Sequence, residues 1–302
     1  MKNRTYLFIA VMALLIIGLS IPANAQTMPN FRLRYAQAAN GVIGSQTYIT
    51  TLFVTNPQNF SIQAFIDSFD DANPANPIGL GFSTSCGFDP TTNLFTVPAD
   101  GTCQFVSDGQ GPLKTGWLRA TENSGNNNIG GYLVFTLYQG NQFSGFPLLT
   151  VGVSPTAILS QFSVPVVRDV NTGKDVGFAM ANPFNDGPVT MAVQLVDPNG
   201  NPLEEHDVTL QTEGHLAEFA SQFFSTLANA RNFVGSIVAT QRVAQDGVVA
   251  TALLQTGAQL GGAPPTEEGI LAAKSAHGSL RPDASSPQSR EVLKSGTAGP
   301  GF

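Results

Sequence analysis

The sequence predicts an all-β protein made of two tandem antiparallel β-sandwich domains followed by a disordered C-terminal tail. The middle of the chain contains the same pattern twice, and short β-prone runs alternate with turn residues. Charged residues make up only 12% of a chain rich in Gly, Pro and Phe, a composition that favours short strands and turns over long helices. We assign residues 26–157 to the first domain, 158–257 to the second and 258–302 to the tail.

The duplication covers Thr47 to Leu137 and Lys174 to Leu253. Each copy has an apolar run that ends in Asn-Pro, at Asn56 and at Asn182. Four further marks follow in the same order: an acid after a second apolar run, a turn glycine, a Gly-x-apolar-x-Ala-Thr strand and a glycine before a last apolar run. The paired positions are Asp67 and Asp197, Gly101 and Gly214, Gly116 and Gly235, and Gly131 and Gly247. Repetition of a strand-and-turn pattern predicts two similar β domains.

Residues 1–25 have the features of a secretory signal peptide. Lys2 and Arg4 precede an apolar stretch from Tyr6 to Leu19, and Ala23-Asn24-Ala25 matches a small-x-small cleavage site. The stretch is shorter than the roughly 20 apolar residues that a membrane span needs, which favours a signal peptide that is cleaved. An uncleaved anchor is the alternative. We therefore expect an exported protein, secreted, periplasmic or at the cell surface, without membrane insertion after cleavage.

The charge of the chain argues against two classes of partner. The formal net charge is −7, and loss of Lys2 and Arg4 with the signal peptide makes it more negative. The basic residues form no visible cluster in the sequence. Nucleic acid is therefore not expected as a partner, since binding it requires clustered cations, and anionic membrane surfaces are disfavoured for the same reason.

The chain has two cysteines, Cys86 and Cys103, both in the first copy. An even number of cysteines in an exported protein predicts a disulfide, worth about 3 kcal/mol for a loop of this length. Cys86 lies within an insertion, Pro74 to Asn93, that the second copy lacks. We expect the bond to fasten this insertion to the strand that contains Cys103; two free thiols are the alternative.

Apolar and β-branched runs between turn signals define the expected strands. The second copy also has helical spacing of aromatic residues between Leu216 and Ala230, which predicts a short helix at one end of its sandwich. After residue 257 the periodicity stops, which predicts a disordered tail that adds nothing to the fold. The expected strands are Tyr48–Thr55, Ser61–Phe69, Trp117–Thr121, Tyr132–Tyr138, Val176–Ala181, Val189–Val196, Val208–Gln211, Phe233–Thr240 and Val248–Gln255.

Signals of catalysis or metal binding are weak. Of the three histidines, His206 and His215 fall near predicted turns, where a shared metal is conceivable but two exposed turn histidines are the favoured interpretation. Asp67, Asp70 and Asp71 cluster at a strand end, and Asp197 begins a Pro-Asn-Gly-Asn turn. Calcium is one explanation of such oxygen-rich segments, and ordinary turn chemistry is the favoured one. We assign no catalytic residue, metal site or cofactor.

The best candidates for binding are aromatic. Trp117 aligns with Ser236 of the second copy, in a strand where Leu118 and Ala120 should face the core. Alternation then places Trp117 and Arg119 on the opposite face. With Tyr132 nearby, such a face would stack on a sugar ring or anchor a partner. Burial of Trp117 at the domain junction or under the insertion is the favoured alternative.

The second copy resembles a known kind of repeat. Asn182-Pro183, the Asp197-Pro-Asn-Gly turn, Gly214-His-Leu-Ala-Glu-Phe219 and the strand that ends at Thr240 are similar to an immunoglobulin-like sandwich repeat of roughly 100 residues from secreted bacterial proteins. The resemblance covers the second copy well and the first loosely. It implies an extracellular, non-catalytic module, and it transfers no functional residue.

Together these features predict an exported, non-catalytic β-sandwich protein that acts in cell-surface adhesion, structure or binding, with a glycan or a surface protein as partner. One alternative is a carbohydrate-binding module that uses Trp117 and nearby Tyr132 or Tyr138. Another is a polysaccharide hydrolase with acids among Asp67, Asp70, Glu204 and Glu205.

Overall fold

A computed structural model describes residues 31–270 apart from 90, 141–144, 244–246, 257–258 and 263–265. Regular structure in this part of the chain is almost entirely β, in two sheet bodies, which confirms the predicted fold class. The elements are β1 (Arg32–Ile43), β2 (Gln46–Thr55), β3 (Ile62–Asp70), β4 (Ser83–Thr84), β5 (Phe88–Asp89), β6 (Leu94–Val97), β7 (Thr102–Val106), β8 (Lys114–Glu122), β9 (Gly130–Gln139), β10 (Phe146–Val153), β11 (Leu159–Asp169), β12 (Lys174–Ala181), β13 (Val189–Val196), β14 (Pro202–Leu210), β15 (His215–Phe219), α1 (Ala220–Phe223), α2 (Ser225–Ala228), β16 (Asn232–Gln241), β17 (Val249–Thr256), β18 (Gln259–Gly262) and β19 (Thr266–Ile270).

The two bodies have the same antiparallel strand order. In the first body one layer runs β1-β8-β3-β6 and the other β10-β9-β2-β7, and β1 joins them by pairing with β8 along most of its length and with β2 at its end. In the second body the layers run β11-β16-β13-β14 and β18-β17-β12-β15. Each of these eight strands therefore has a counterpart in the first body, and β19, which pairs with β11, is an addition of the second body, so the sequence duplication is also a duplication of the fold.

The repeated Asn-Pro motif performs the same task in both bodies. The amide nitrogen of buried Asn56 donates to the carbonyls of Phe60, Val97 and Pro98 at 2.7–3.3 Å. That of buried Asn182 donates to the carbonyls of Gly187, Leu210 and Gln211 at 2.8–3.2 Å. Each asparagine ties together loops that leave strands of opposite layers, β2 and β6 or β12 and β14, because its side chain satisfies carbonyl groups that are shielded from water.

Each body has its own apolar core. Leu118 and Ala120 of β8 and Ile237 and Ala239 of β16 are fully buried, as the alignment of the copies predicts. All nine expected strands exist, eight with their ends shifted by at most a few residues; the ninth, expected at Val208–Gln211, begins six residues earlier as β14. The expected helix is divided into α1 and α2. Phe224, between these helices, is fully buried in the second core.

The disulfide between Cys86 and Cys103 is present, with its Cα atoms 5.5 Å apart. It joins the insertion to β7, as predicted. Two short strands within the insertion, β4 and β5, extend the two layers of the first body by pairing with β7 and β6. The insertion therefore continues the sheets, and the disulfide holds it there.

The tail was predicted to begin at residue 258, but two strands follow that position. β18 pairs with β17 and β19 pairs with β11. The sequence does predict that β17, apolar on both faces, has a neighbour on each edge, and these neighbours are β12 and β18. β18 is the counterpart of β10, so the body extends past the predicted boundary. Residues 271–302 and the predicted signal peptide lie outside the described residues.

Candidate functional site

Trp117 faces away from its own core, as alternation predicts, but it is fully buried. Its indole stacks on Phe69 with ring centroids 4.7 Å apart, and its Nε1 donates to the carbonyl of Glu213 in the second body at 2.7 Å. The second body covers this face. The expectation of an exposed Trp117 that binds a ligand is therefore wrong, and the alternative, burial at the domain junction, is the observed one.

Arg119 lies beside Trp117 and carries charge across the same junction. Its Nε donates to Asp67 at 2.8 Å and a terminal nitrogen lies 3.1 Å from the carboxylate of Glu213. Its guanidinium also lies 5.0 Å from the ring centroid of Phe69. Both acids and the arginine are largely shielded from solvent, so Arg119 is committed to joining the bodies and is not free to bind a ligand alone.

His215 forms the second polar link between the bodies. Its Nε2 meets the carbonyl of Ala36 at 2.7 Å and its Nδ1 meets a carboxylate oxygen of Asp71 at 2.7 Å. Both partners are hydrogen-bond acceptors, so both ring nitrogens are engaged with the first body. Burial opposes ionisation of Asp71, but hydrogen bonds from His215 and Thr115 lower the pKa of its carboxyl below the usual value.

The expectation of two exposed turn histidines is correct for the exposure of His206 and wrong for His215, and the two lie in different layers rather than across one hairpin. His215 is 4% exposed. His206 lies on β14, in the other layer of the second body, where it contacts the rings of Phe223 and Phe224. The comparison of the two copies contained one signal that His215 has a special role. The position after the repeated turn glycine is Thr102 in the first copy and the buried His215 in the second.

Further contacts complete the junction. The side chain of Asn73 donates to the carbonyl of Thr209 at 2.9 Å and accepts from the backbone of Gln211 at 2.5 Å. Between the polar links lie two small apolar clusters. One contains Ala36, Ala179 and Val249, and the other contains Phe69, Trp117 and Ala181. We use the term junction for all these contacts between the bodies.

A cavity of about 290 Å³ opens beside the junction and is lined by both bodies. Its walls are mostly apolar. The first body contributes residues of β1, β2, β8, β9 and β10, and the second contributes residues of β12, β15, α1 and β17. The largest apolar side chains are Tyr48, Phe135, Phe178 and Phe219. Concave, mostly apolar sites between domains are typical places for small ligands.

A second hollow, of about 640 Å³, lies under the insertion. It is lined by one body alone, between β3 and the insertion loop, and glycines at 79 and 81 and backbone contribute to its wall. The smaller cavity is the better candidate site because both bodies shape it and apolar side chains dominate its wall.

The acids proposed for metal binding or hydrolysis have other partners. Asp70 accepts hydrogen bonds from the backbone of Ala72 and Asn76, and Asp197 accepts those of Asn199 and Asn201, as in ordinary turns. Such bonds lower the pKa of both carboxyl groups, against the opposing effect of burial. In the described part of the chain, no three His, Cys, Asp or Glu side chains are placed to hold a metal ion.

The two glutamates of the hydrolase alternative sit on β14, far along the chain from Asp67 and Asp70 on β3. Glu204 accepts hydrogen bonds from the backbone of Ser225 and Thr226 and contacts His206. Glu205 pairs with Arg242 and Gln194. Each of these carboxylates is therefore engaged in holding neighbouring elements together.

Tyr132 does not lie near Trp117. It is on β9, in the other layer, with 49% of its surface exposed. Its ring stacks on that of Phe53, its direct partner on β2, with centroids 4.6 Å apart. The structure thus brings together Trp117 and Arg119 and places Tyr132 on a separate, open face.

Comparisons with protein-family models, with curated proteins and with solved structures found no match. None of the helices among the described residues has the length and apolar character needed to cross a membrane.

Proposed function

We propose that this chain is an exported, non-catalytic protein that binds an uncharged apolar ligand in the cavity between its two bodies. The cavity itself is the observation that carries the proposal, because apolar side chains of both bodies form it and the junction fixes their separation. The disulfide is compatible with the oxidising environment outside the cytoplasm.

The charge of the cavity wall defines the chemistry of the ligand. The carboxylates of Asp71 and Glu218 line it, and the lining residues in the described part of the chain include no Lys or Arg. An anionic ligand such as a fatty acid would therefore meet like charge without a counter-ion. Neutral polar groups, among them Thr115 and Gln222, provide hydrogen bonds at the wall. An uncharged aromatic or aliphatic molecule with a few polar atoms fits this environment best.

The neutral dye N-phenyl-1-naphthylamine tests the proposal, since its fluorescence rises in apolar surroundings. We expect saturable binding to the full chain. Ala217→Trp places a large ring into the cavity from an exposed position on β15 and should abolish binding. Ala99→Trp is the matched control, because Ala99 is exposed in a turn of the first body and lies outside the cavity. Equal dye binding by both variants, or none by the unmodified chain, would refute the cavity as the site.

A second candidate function, glycan binding, rests on the stacked rings of half-buried Phe53 and exposed Tyr132. The pair lies on a sheet face with paired hydroxyls on both sides, Thr55 with Thr102 and Thr136 with Thr150, at 3.0 and 3.4 Å. Aromatic rings combined with neutral hydrogen-bonding groups suit an uncharged sugar. This proposal moves the predicted glycan site from Trp117 to Tyr132.

A glycan array would test this second candidate with the variants Tyr132→Ala and Phe60→Ala. Phe60 is equally exposed, at 50%, but lies in a loop. Glycan binding that is lost only in Tyr132→Ala supports the face around Phe53. Signals that are absent, or unchanged by Tyr132→Ala, would exclude it.

A further inference from the structure

Three arginines lie together on the outer face of the first body, close to the junction. Arg34 of β1 is the direct cross-strand partner of Arg119 on β8, and Arg119 is in turn the partner of Asp67 on β3. Arg32 lies two residues before Arg34 and so shares its face. The row places three guanidinium groups beside two carboxylates, those of Asp67 and Glu213.

Both of these carboxylates are paired with Arg119, whereas no ion pair or side-chain hydrogen bond joins Arg32 or Arg34 to any residue that the structure describes. Neither guanidinium is fully exposed, and the Nε atoms of both are buried without a partner. A charge that is withdrawn from water without a counter-ion costs several kcal/mol, and a guanidinium does not escape this cost by losing its proton.

Two hydroxyl groups at the same place also lack partners. Thr121 is the cross-strand partner of Arg32, and the backbone N–H of Thr156, in the segment that connects the bodies, donates to the carbonyl of Arg34 at 2.9 Å. The hydroxyl oxygens of both threonines are buried and unpartnered. Four of the seven buried side-chain atoms without partners in the described part of the chain therefore belong to residues in or directly bonded to this row. All four can donate a hydrogen bond.

Burial and the neighbouring arginines both lower the pKa values of Arg32 and Arg34. Burial, followed by the charges of Arg32 and Arg119, lowers the pKa of Arg34 to about 9. Burial and the charge of Arg119 also lower the pKa of Arg32, and Asp67 offsets this only in part. The row thus holds an excess of positive charge, and its free hydrogen-bonding groups are donors. The group that satisfies such a site is negatively charged and rich in acceptor oxygens.

We propose that Arg32, Arg34, Thr121 and Thr156 form a binding site for an oxyanion, such as the sulfate, phosphate or carboxylate group of an acidic ligand. Arg34 supplies the central charge and Arg32 a second fork. The hydroxyls of Thr121 and Thr156 donate to the remaining oxygens. This site is separate from the apolar cavity: the cavity excludes anions, and Gln37 and Ala39 of β1 line it on the far side of the contact between Ala36 and His215.

Thermal unfolding of the full chain in millimolar sulfate, phosphate or acetate, with sodium chloride of equal ionic strength as the reference, tests the proposal. We expect at least one oxyanion to raise the melting temperature in a saturable manner. Calorimetric titration with the same salt should give a Kd that rises about tenfold or more in Arg34→Gln, the loss expected for one charged hydrogen-bonding partner. Sulfate and phosphate also stabilise proteins by exclusion from their surfaces, and the difference between the unmodified chain and Arg34→Gln removes that effect.

Arg242→Gln is the matched control, because Arg242 pairs with Glu205 and Asp207 on the second body. This variant should respond to the oxyanion as the unmodified chain does. In chloride alone, Arg34→Gln should be at least as stable as the unmodified chain, since it removes an uncompensated charge, so its folded state can be verified by circular dichroism. Identical oxyanion responses of Arg34→Gln and Arg242→Gln would overturn the proposal. So would indifference of the unmodified chain to all three anions, as expected if a carboxylate of the chain itself fills the site.

Discussion

Asp100 and Glu213 occupy the same turn position in the two bodies and share an unusual backbone conformation, with φ angles of 51° and 56°. Each precedes the repeated turn glycine. The backbone N–H of Asp100 donates to the carbonyl of Gln58 and that of Glu213 to the carbonyl of Phe184, and each of these carbonyls lies two residues after the repeated asparagine of its body. The environments differ. Asp100 is exposed, whereas Glu213 contacts Trp117 and Arg119 of the other body.

Glycine substitution should therefore act differently at these two positions. Left-handed backbone costs a non-glycine residue about 1 kcal/mol, so we expect Asp100→Gly to stabilise the first body by up to that amount. Glu213→Gly relieves the same strain but removes a carboxylate from Arg119, and should give a smaller gain or a loss. Urea unfolding of both variants measures the difference. Equal gains would show that the ion pair across the junction contributes nothing.

Removal of the repeated asparagines should weaken one body at a time. Asn56→Ala leaves the carbonyls of Phe60, Val97 and Pro98 without their shared donor, at an expected cost of about 3 kcal/mol. Asn182→Ala should cost the same in the second body. Hydrogen exchange should report faster opening of the ends of β2 and β6 in the first variant and of β12 and β14 in the second. The same exchange pattern in both variants would contradict independent roles.

Truncation of Trp117 should loosen the junction and leave both cores intact. Trp117→Ala removes a fully buried ring, its contact with Phe69 and its hydrogen bond to Glu213. Such a substitution costs about 3–5 kcal/mol. We expect proteases to cut the segment between the bodies, 154–158, much faster in this variant. Tyr132→Ala, which alters an exposed aromatic residue, is the control; equally fast cleavage of both would argue against a role of Trp117 in the junction.

Acid should weaken the second body through Glu204. Burial opposes its ionisation, but the backbone N–H groups of Thr226 and Ser225, together with His206, lower the pKa of its carboxyl to about 2. This pKa is below the value of about 4.3 for a glutamate in the unfolded chain. The ionised carboxylate therefore stabilises the folded second body fully above about pH 4.3, and this stabilisation disappears as the pH falls towards 2.

Glu204→Gln should accordingly lower stability at neutral pH and flatten its decline between about pH 4 and pH 2. Urea unfolding across this range provides the measurement. Glu205→Gln removes the neighbouring charge from the opposite face of the strand and serves as the control. A decline of unchanged steepness in Glu204→Gln would mean that this carboxyl does not titrate with folding.

The last two strands should contribute to stability. A chain that ends at Thr256 lacks β18 and β19, which exposes one edge of β17 and one of β11. We expect a lower melting temperature of the second body than in a chain that ends at Ile270, which retains both strands. Equal melting temperatures would show that β18 and β19 do not stabilise the second body, and that the domain ends at residue 257 as the sequence predicts.

The sequence predicts best what depends on local alternation and on comparison of the two copies. The inward direction of Leu118 and Ile237 follows from aligned strands, and the partner of Cys86 follows from there being one other cysteine. β1 and β11 are not evident, because a bulge between Tyr35 and Ala38 interrupts the alternation in β1 and Pro165 lies within β11. Proline is tolerated there because β19 pairs only with the first half of that strand.

The junction, the apolar cavity and the oxyanion site are formed by residues far apart in the sequence, and this is why the sequence does not reveal them. Asp71 and His215 meet across 144 positions of the chain, and nothing near either residue marks the other. Alternation gives the correct face for Trp117 but carries no information about what covers that face. The excess charge at Arg34 depends on both acids nearby being taken by Arg119, which only the packed arrangement shows.

The junction uses different parts of the two copies, and this gives the pair a direction. The second copy contributes its turn at Glu213 and the first contributes its strand face at Trp117, whereas the equivalent turn at Asp100 is exposed and the equivalent of Trp117 is Ser236. The copies are therefore no longer interchangeable parts. A chain with the two halves in reverse order would place Asp100 against Ser236 and have no means of joining them, and a third copy could not be added by the same contact without a new tryptophan.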